Sequence, residues 1–99
     1  MVNNSIIRVR VTGVSSLRSV IRKDTIINLK RGRTVGDLID QLEEEYGSAY
    51  RKKTGEDMRE VIRKLFTLSI NGKLPTPVLR LDTVLSDGDE IVFFQWTGA

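Results

Sequence analysis

The chain has 99 residues, 39% hydrophobic and 29% charged, with 16 Lys and Arg against 13 Asp and Glu for a net charge of +3; this length and mix fit one soluble domain with one modest core. It contains no cysteine and no histidine, which removes disulfides, thiolate and imidazole metal ligands, a cysteine nucleophile and all histidine-based acid–base or triad chemistry, and makes an independent enzyme a poor expectation. No apolar run approaches the roughly 20 residues that cross a bilayer, and the opening residues, Met1 to Ser5, lack a basic region followed by an apolar stretch, so the chain is expected in the cytoplasm, away from membranes.

Residues 6–12 alternate, with Ile7, Val9 and Val11 on one face and Arg8, Arg10 and Thr12 on the other, the period of a half-buried strand. Gly13 and the Ser15-Ser16 pair break the pattern, and the basic stretch after them reads as a connection. Residues 24–30 hold a second strand, Thr25-Ile26-Ile27-Asn28-Leu29, rich in β-branched side chains. After the turn Lys30-Arg31-Gly32-Arg33, Thr34 is the N-cap of a helix and Asp37 completes a capping box. Val35, Leu38, Ile39, Leu42 and Tyr46 form its apolar stripe, and Gly47 stands where a left-handed C-cap would close it.

Residues 48–57 then read as an exposed loop. Met58, Val61, Ile62, Leu65 and Phe66 predict a short second helix, with Glu60 and Lys64 paired four apart. Leu68-Ser69-Ile70 is a short strand, and Asn71-Gly72 is the strongest hairpin signal in the chain. Pro75 and Pro77 leave residues 78–81 as an edge segment at best. Residues 82–86 suit a single helical turn, and Asp87-Gly88 turns the chain into the closing strand, Ile91-Val92-Phe93-Phe94. The order suits an α+β layer, a mixed sheet over one main helix, in which first and last strands pair in parallel through a helical crossover.

Charge is segregated along the chain. Arg18, Arg22, Lys23, Lys30, Arg31 and Arg33 face one acid, Asp24; Arg51-Lys52-Lys53 form a second basic cluster, and acids gather over 37–45 and 82–90. An anionic partner would use such patches, and solvated loops would produce them equally. Asp87 and Asp89 are better read as turn residues than as an acid–base or metal pair.

Several stretches resemble the ubiquitin-like sulfur carriers, the small subunit of molybdopterin synthase (MoaD) and the thiamine-pathway carrier (ThiS). They are Thr34-Val35-Gly36-Asp37-Leu38-Ile39-Asp40-Gln41-Leu42, then Ser69-Ile70-Asn71-Gly72, then Leu85 to Ile91 followed by Phe93-Phe94. The resemblance covers most of the chain, with residues 48–64 as a variable insert, and it implies a β-grasp fold spanning residues 1–99 with a flexible C-terminal tail, 95–99. It also implies that the tail is the working part. A ubiquitin-activating-like enzyme adenylates the terminal carboxylate, a sulfur donor converts it to a thiocarboxylate, and the tail delivers sulfur to a synthase large subunit or another acceptor. No catalytic residue, cofactor or metal site within the chain is implied.

The carrier positions fall on Gly98 and Ala99, where the family has Gly-Gly, and the expected partner interface is Phe94, Gln95, Trp96 and Thr97. Extended at about 3.3 Å per residue, residues 95–99 reach about 16 Å. Both faces of the closing strand are apolar, Ile91 and Phe93 on one and Val92 and Phe94 on the other, so the outer one is available to a partner. Two further readings stand beside this one. One is a β-grasp interaction subunit without carrier chemistry. The weaker one is an RNA-binding module using Arg8, Arg10, Arg18, Arg22, Lys23, Arg31 and Arg33, which lacks a stacking aromatic near its basic cluster.

Overall fold

Alternation in the first strand becomes a pleat with one dry side. β1 (Ile6–Thr12) buries Ile7, Val9 and Val11 and exposes Ile6, Arg8 and Arg10. β2 (Thr25–Lys30) runs antiparallel to it, placing Ile27 opposite Val9 and Leu29 opposite Ile7. Such cross-strand apolar pairs hold the register, because a slip of one residue would turn every buried side chain to solvent. The computed structural model describes residues 5–73 and 80–95.

β3 (Phe66–Ile70) and β4 (Glu90–Gln95) complete a sheet of order β2-β1-β4-β3. β4 lies parallel to β1 over Arg10–Glu90, Val11–Ile91 and Thr12–Val92, and antiparallel to β3 from Phe66–Gln95 to Ile70–Ile91. The expected mixed sheet with parallel first and last strands is therefore present, and the helical layer supplies the crossover a parallel pair needs.

α1 (Val35–Thr54) begins as the sequence predicts. The Thr34 hydroxyl accepts from the Asp37 N–H at 3.2 Å, and the Asp37 carboxylate accepts from the Thr34 N–H at 2.9 Å. Two further N–H groups of the first turn, which no helix can satisfy internally, donate to backbone carbonyls: Val35 to Thr83 and Gly36 to Leu81, both at 2.9 Å. These bonds correct the expected helical turn over 82–86. That segment is drawn out across the helix entrance, with Val84 bridged to Thr34.

The far end of α1 is also corrected. Gly47 is an interior, buried helical residue, and residues 48–54, expected as loop, are helical; the left-handed cap is Gly55, at φ +79°. Tyr50 explains the extension. It is fully buried and its hydroxyl is 2.9 Å from that of Ser16, so an eight-residue-longer helix gains a large apolar anchor.

α2 (Met58–Leu65) follows, capped by the Asp57 carboxylate accepting from the Glu60 N–H at 3.0 Å, and tied to α1 by the Arg51–Asp57 ion pair at 3.1 Å. It buries Met58, Val61 and Ile62; Leu65 stays largely exposed, and Phe66, expected in this stripe, opens β3 in extended conformation. Between β1 and β2, Ser15–Ser19 forms a 3₁₀ turn that sends Leu17 into the core. After β3, Asn71 and Gly72 both take positive φ, 55° and 79°, and the Lys73 N–H returns to the Ile70 carbonyl at 3.2 Å. This is the tight turn that an Asn-Gly pair favours. Residues 74–79, including Pro75 and Pro77, lie outside the described residues; Arg80 and Leu81 belong to no strand.

The core is the layer between sheet and helices. Ile7, Val9, Val11, Ile27, Ile91 and Phe93 meet Leu38, Ile39, Leu42, Met58 and Ile62, each at most 1% exposed. Phe66 and Phe93 stack edge to face at 6.4 Å between ring centres. Such a pair contributes about 0.5–1.5 kcal/mol beyond the area it buries.

Candidate functional site

The outer face of the sheet is where the closing strand meets solvent. Pleating sends Ile91 and Phe93 into the core and leaves Val92 half-buried and Phe94 41% exposed. Val92 sits between Thr12 on β1 and Ser69 on β3, and Phe94 lies opposite Thr67. Thr67 and Ser69 are themselves buried, so Phe94 stands out from a small, polar and rigid floor. Gln95, the last residue of β4, is exposed. Of the six positions assigned from sequence to tail and interface, the structure places Phe94 and Gln95 together at the end of a strand. Trp96, Thr97, Gly98 and Ala99 lie outside the described residues.

The entrance to β4 is fixed by polar contacts. Asp89 accepts from the Ser86 N–H at 2.7 Å and from the Asn71 amide at 2.9 Å, while Asn71 accepts from the Glu90 N–H at 2.8 Å. Asp87 accepts from the Arg8 N–H at 2.8 Å. Both aspartates thus shape the turn, as the sequence suggests, and do not form a paired carboxylate site. Among the described residues no group of acids, histidines or cysteines could hold a metal ion, and no helix is long and apolar enough to cross a membrane.

The basic residues do not gather as one surface. Arg10 is paired with Glu90 at 2.7 Å on the outer face, and the Arg18 guanidinium donates to the Gly13 carbonyl at 3.1 Å. Arg22 and Lys23 precede β2 whereas Arg31 and Arg33 follow it, so the six-residue strand separates them by about 20 Å at the rise of an extended chain. The RNA-binding set is therefore split between the two ends of β2. What sequence reading missed is a junction elsewhere: the Lys53 ammonium donates to the Ser19 carbonyl at 2.9 Å, beside the Tyr50–Ser16 contact. The available signal was Tyr50, eight positions beyond Leu42 on the same helical stripe.

Among the described residues Asp37 is the one acid held clearly below its ordinary pKa, chiefly by the Thr34 N–H and then by the Thr34 hydroxyl. It serves the helix cap and lies in the helical layer, apart from β4.

Comparison with known proteins agrees with this geometry. The family model of the ThiS family matches residues 14–98. Among solved structures, the chain is similar to the Haloferax volcanii HVO 2177 protein, at 22% identity and a TM-score of 0.67, covering 100% of this chain and 92% of that one. It is also similar to SAMP1 from Haloferax volcanii, at 19% identity and TM-score 0.61, covering 93% and 98%. A Pyrococcus furiosus protein described as molybdopterin converting factor, subunit 1, aligns at 18% identity and TM-score 0.60, covering 92% and 99%. Likeness at this identity speaks to the fold, which is the ubiquitin-like β-grasp. No curated protein sequence matches the chain.

Proposed function

The chain belongs to the ThiS family, and from that premise we propose that it is a cytoplasmic sulfur carrier, a protein co-substrate rather than an enzyme. In this reading a ubiquitin-activating-like partner binds the outer face of the sheet through Phe94, with Gln95, Trp96 and Thr97 continuing the contact. The C-terminal carboxylate attacks the α-phosphorus of ATP, releasing pyrophosphate and leaving an acyl-adenylate. A sulfur donor then displaces AMP, so that one carboxylate oxygen leaves with the nucleotide and sulfur takes its place. The tail carries that thiocarboxylate to a second protein, a synthase large subunit or a comparable acceptor.

The observation that carries the reading is Phe94, a large aromatic ring 41% exposed on β4, two residues before Trp96. An exposed aromatic on a rigid strand is the kind of anchor that dominates docking energies. Gly98 supports it, since a residue without Cβ lets an extended tail pass a narrow channel.

Intact-mass measurement tests the proposal after incubation with ATP, an adenylating enzyme of this class and sulfide. Exchange of one oxygen for sulfur at the C-terminus is expected, on the chain as written or on an Ala99→Gly variant. If neither form gains sulfur while a Phe94-dependent complex still forms, the chain is an interaction subunit of the same fold and carries no sulfur.

A further inference from the structure

Gln95 closes β4 at the end of the sheet where β1 finishes and β2 starts. β4 runs parallel to β1 with Val92 beside Thr12, and Gln95 pairs with Phe66, the first residue of β3. The 3₁₀ turn that follows β1 therefore lies at the end from which the chain continues into residues 96–99. The last turn of α1 is there too, because the Lys53 ammonium reaches the Ser19 carbonyl. The Arg18 guanidinium folds back to the Gly13 carbonyl at 3.1 Å. That places a cation at the finish of β1, and neighbouring strands such as β1 and β4 are about 4.8 Å apart.

Arg18 is not alone. Arg22 and Lys23 follow the turn, Lys52 and Lys53 close α1, and all five are exposed. The acids of these segments are Asp24, beside Lys23, and Glu56, after Gly55; Asp57 is taken by Arg51. No ion pair among the described residues joins the five cations to the two free acids. Arg18 and Lys53 donate only to carbonyls, which leaves their charge uncompensated. The partial negative charge at the end of α1 favours Lys52 and Lys53 on its own account, but Arg18, Arg22 and Lys23 lie outside that helix. At the opposite end of β2 the charge is mixed, since Lys30 and Arg33 share a groove with Asp37, Asp40 and Glu44.

Resting on the carrier reading above, we propose that Arg18, Arg22, Lys23, Lys52 and Lys53 form a basic rim at the root of the tail. The rim seats against an acidic protein surface around the mouth of the adenylating partner's channel. A tail that enters a pocket brings this end of the molecule against the partner, and not the mixed end. The nucleotide is out of the rim's reach, because residues 95–99 extend about 16 Å and hold the reacting carboxylate that far away. Nucleic acid fits poorly, because Tyr50, the aromatic beside the turn, is buried and offers no base a stacking face. Carboxylates on a protein are what remains to match uncompensated cations. Exposed charges of this kind speed and orient encounter, whereas Phe94 holds the complex once formed.

The test follows association and dissociation of the full chain with an adenylating enzyme of this class by surface plasmon resonance, at low and at physiological salt. Arg22→Glu with Lys23→Glu, whose side chains bond to nothing among the described residues, slows association about tenfold at low salt and flattens its salt dependence; dissociation is little changed. Lys30→Glu with Arg31→Glu makes the same change of net charge at the other end of β2 and leaves both rates close to those of the unaltered chain. Phe94→Ala speeds dissociation instead. If a Phe94-dependent complex forms and the two charge variants behave alike, the rim is overturned and the carrier reading stands. If no complex forms, or Phe94→Ala leaves it unchanged, the carrier reading fails and the rim fails with it. Amide NMR decides the class of partner: a short oligoglutamate peptide shifts the signals of Arg18, Arg22, Lys23 and Lys53. An oligouridine of equal length that binds these residues more tightly than the peptide overturns the proposal in favour of nucleic acid.

Discussion

Phe93 and Phe94 are neighbours of the same chemistry with opposite fates. Phe93 is fully buried against Phe66, and Phe94 projects 41% exposed from the other side of β4. One pleat separates a side chain that holds the fold from one that the fold holds out. The same strand thereby fills the core with its inner face and holds an exposed aromatic on its outer face, and the two can be changed separately.

The sharpest way to break this comparison is to truncate both rings. Phe93→Ala should lower unfolding free energy by about 3–5 kcal/mol, as for other buried aromatics, read from the denaturant midpoint. Phe94→Ala should leave that midpoint nearly in place while weakening a complex with an adenylating partner by about 2 kcal/mol in titration calorimetry. Equal effects on stability would show that both faces are core.

Thr34→Ala supplies the converse control. It removes the hydroxyl that accepts from the Asp37 N–H and should cost about 1 kcal/mol of stability with no change in docking. On the outer face, Glu90→Gln loses an ion pair whose partners are 49% and 54% exposed; its stability effect should stay below about 0.5 kcal/mol and shrink in salt.

The smallest effect is that of pH on the cap. Because Asp37 is held below its ordinary pKa, the folded state binds its proton less readily than the unfolded chain. Its contribution is therefore full above the ordinary carboxylate range and is lost as pH falls below about 4. Asp37→Asn should flatten that part of the stability profile, and a profile unchanged by the substitution would remove the cap from the account.

Much of this fold is legible where one local rule acts alone. β1 shows in its alternation because one face is wet, and α1 begins where Thr34 and Asp37 satisfy each other. Reading fails where a local preference meets a distant contact. Gly47 has the chemistry of a helix end, yet Tyr50 reaches the core and Ser16, and the helix runs through to Gly55. Phe66 has the spacing of a helical stripe, and pairing of β3 with β4 draws it into a strand. In the candidate site, the exposure of Phe94 follows from the pleat and was readable. The basic rim was not, since Lys53 and Ser19 are 34 positions apart in sequence and meet only in the fold. The separation of Arg22 and Lys23 from Arg31 and Arg33 required only the length of the strand between them.

Placing β4 beside β1 has a consequence for how the chain comes to be folded. Arg10 and Glu90 are 80 positions apart in sequence, and their strands meet at the middle of the sheet. The loop closed by that pairing contains nearly every other element, so its entropy must be overcome before the central contacts can form. A growing chain that has not yet emitted β4 has β1 without its inner neighbour and β3 without the only strand it pairs with among the described residues. Completion of the fold therefore waits on the same strand that presents Phe94, and that ring takes its exposed place at the step that closes the core.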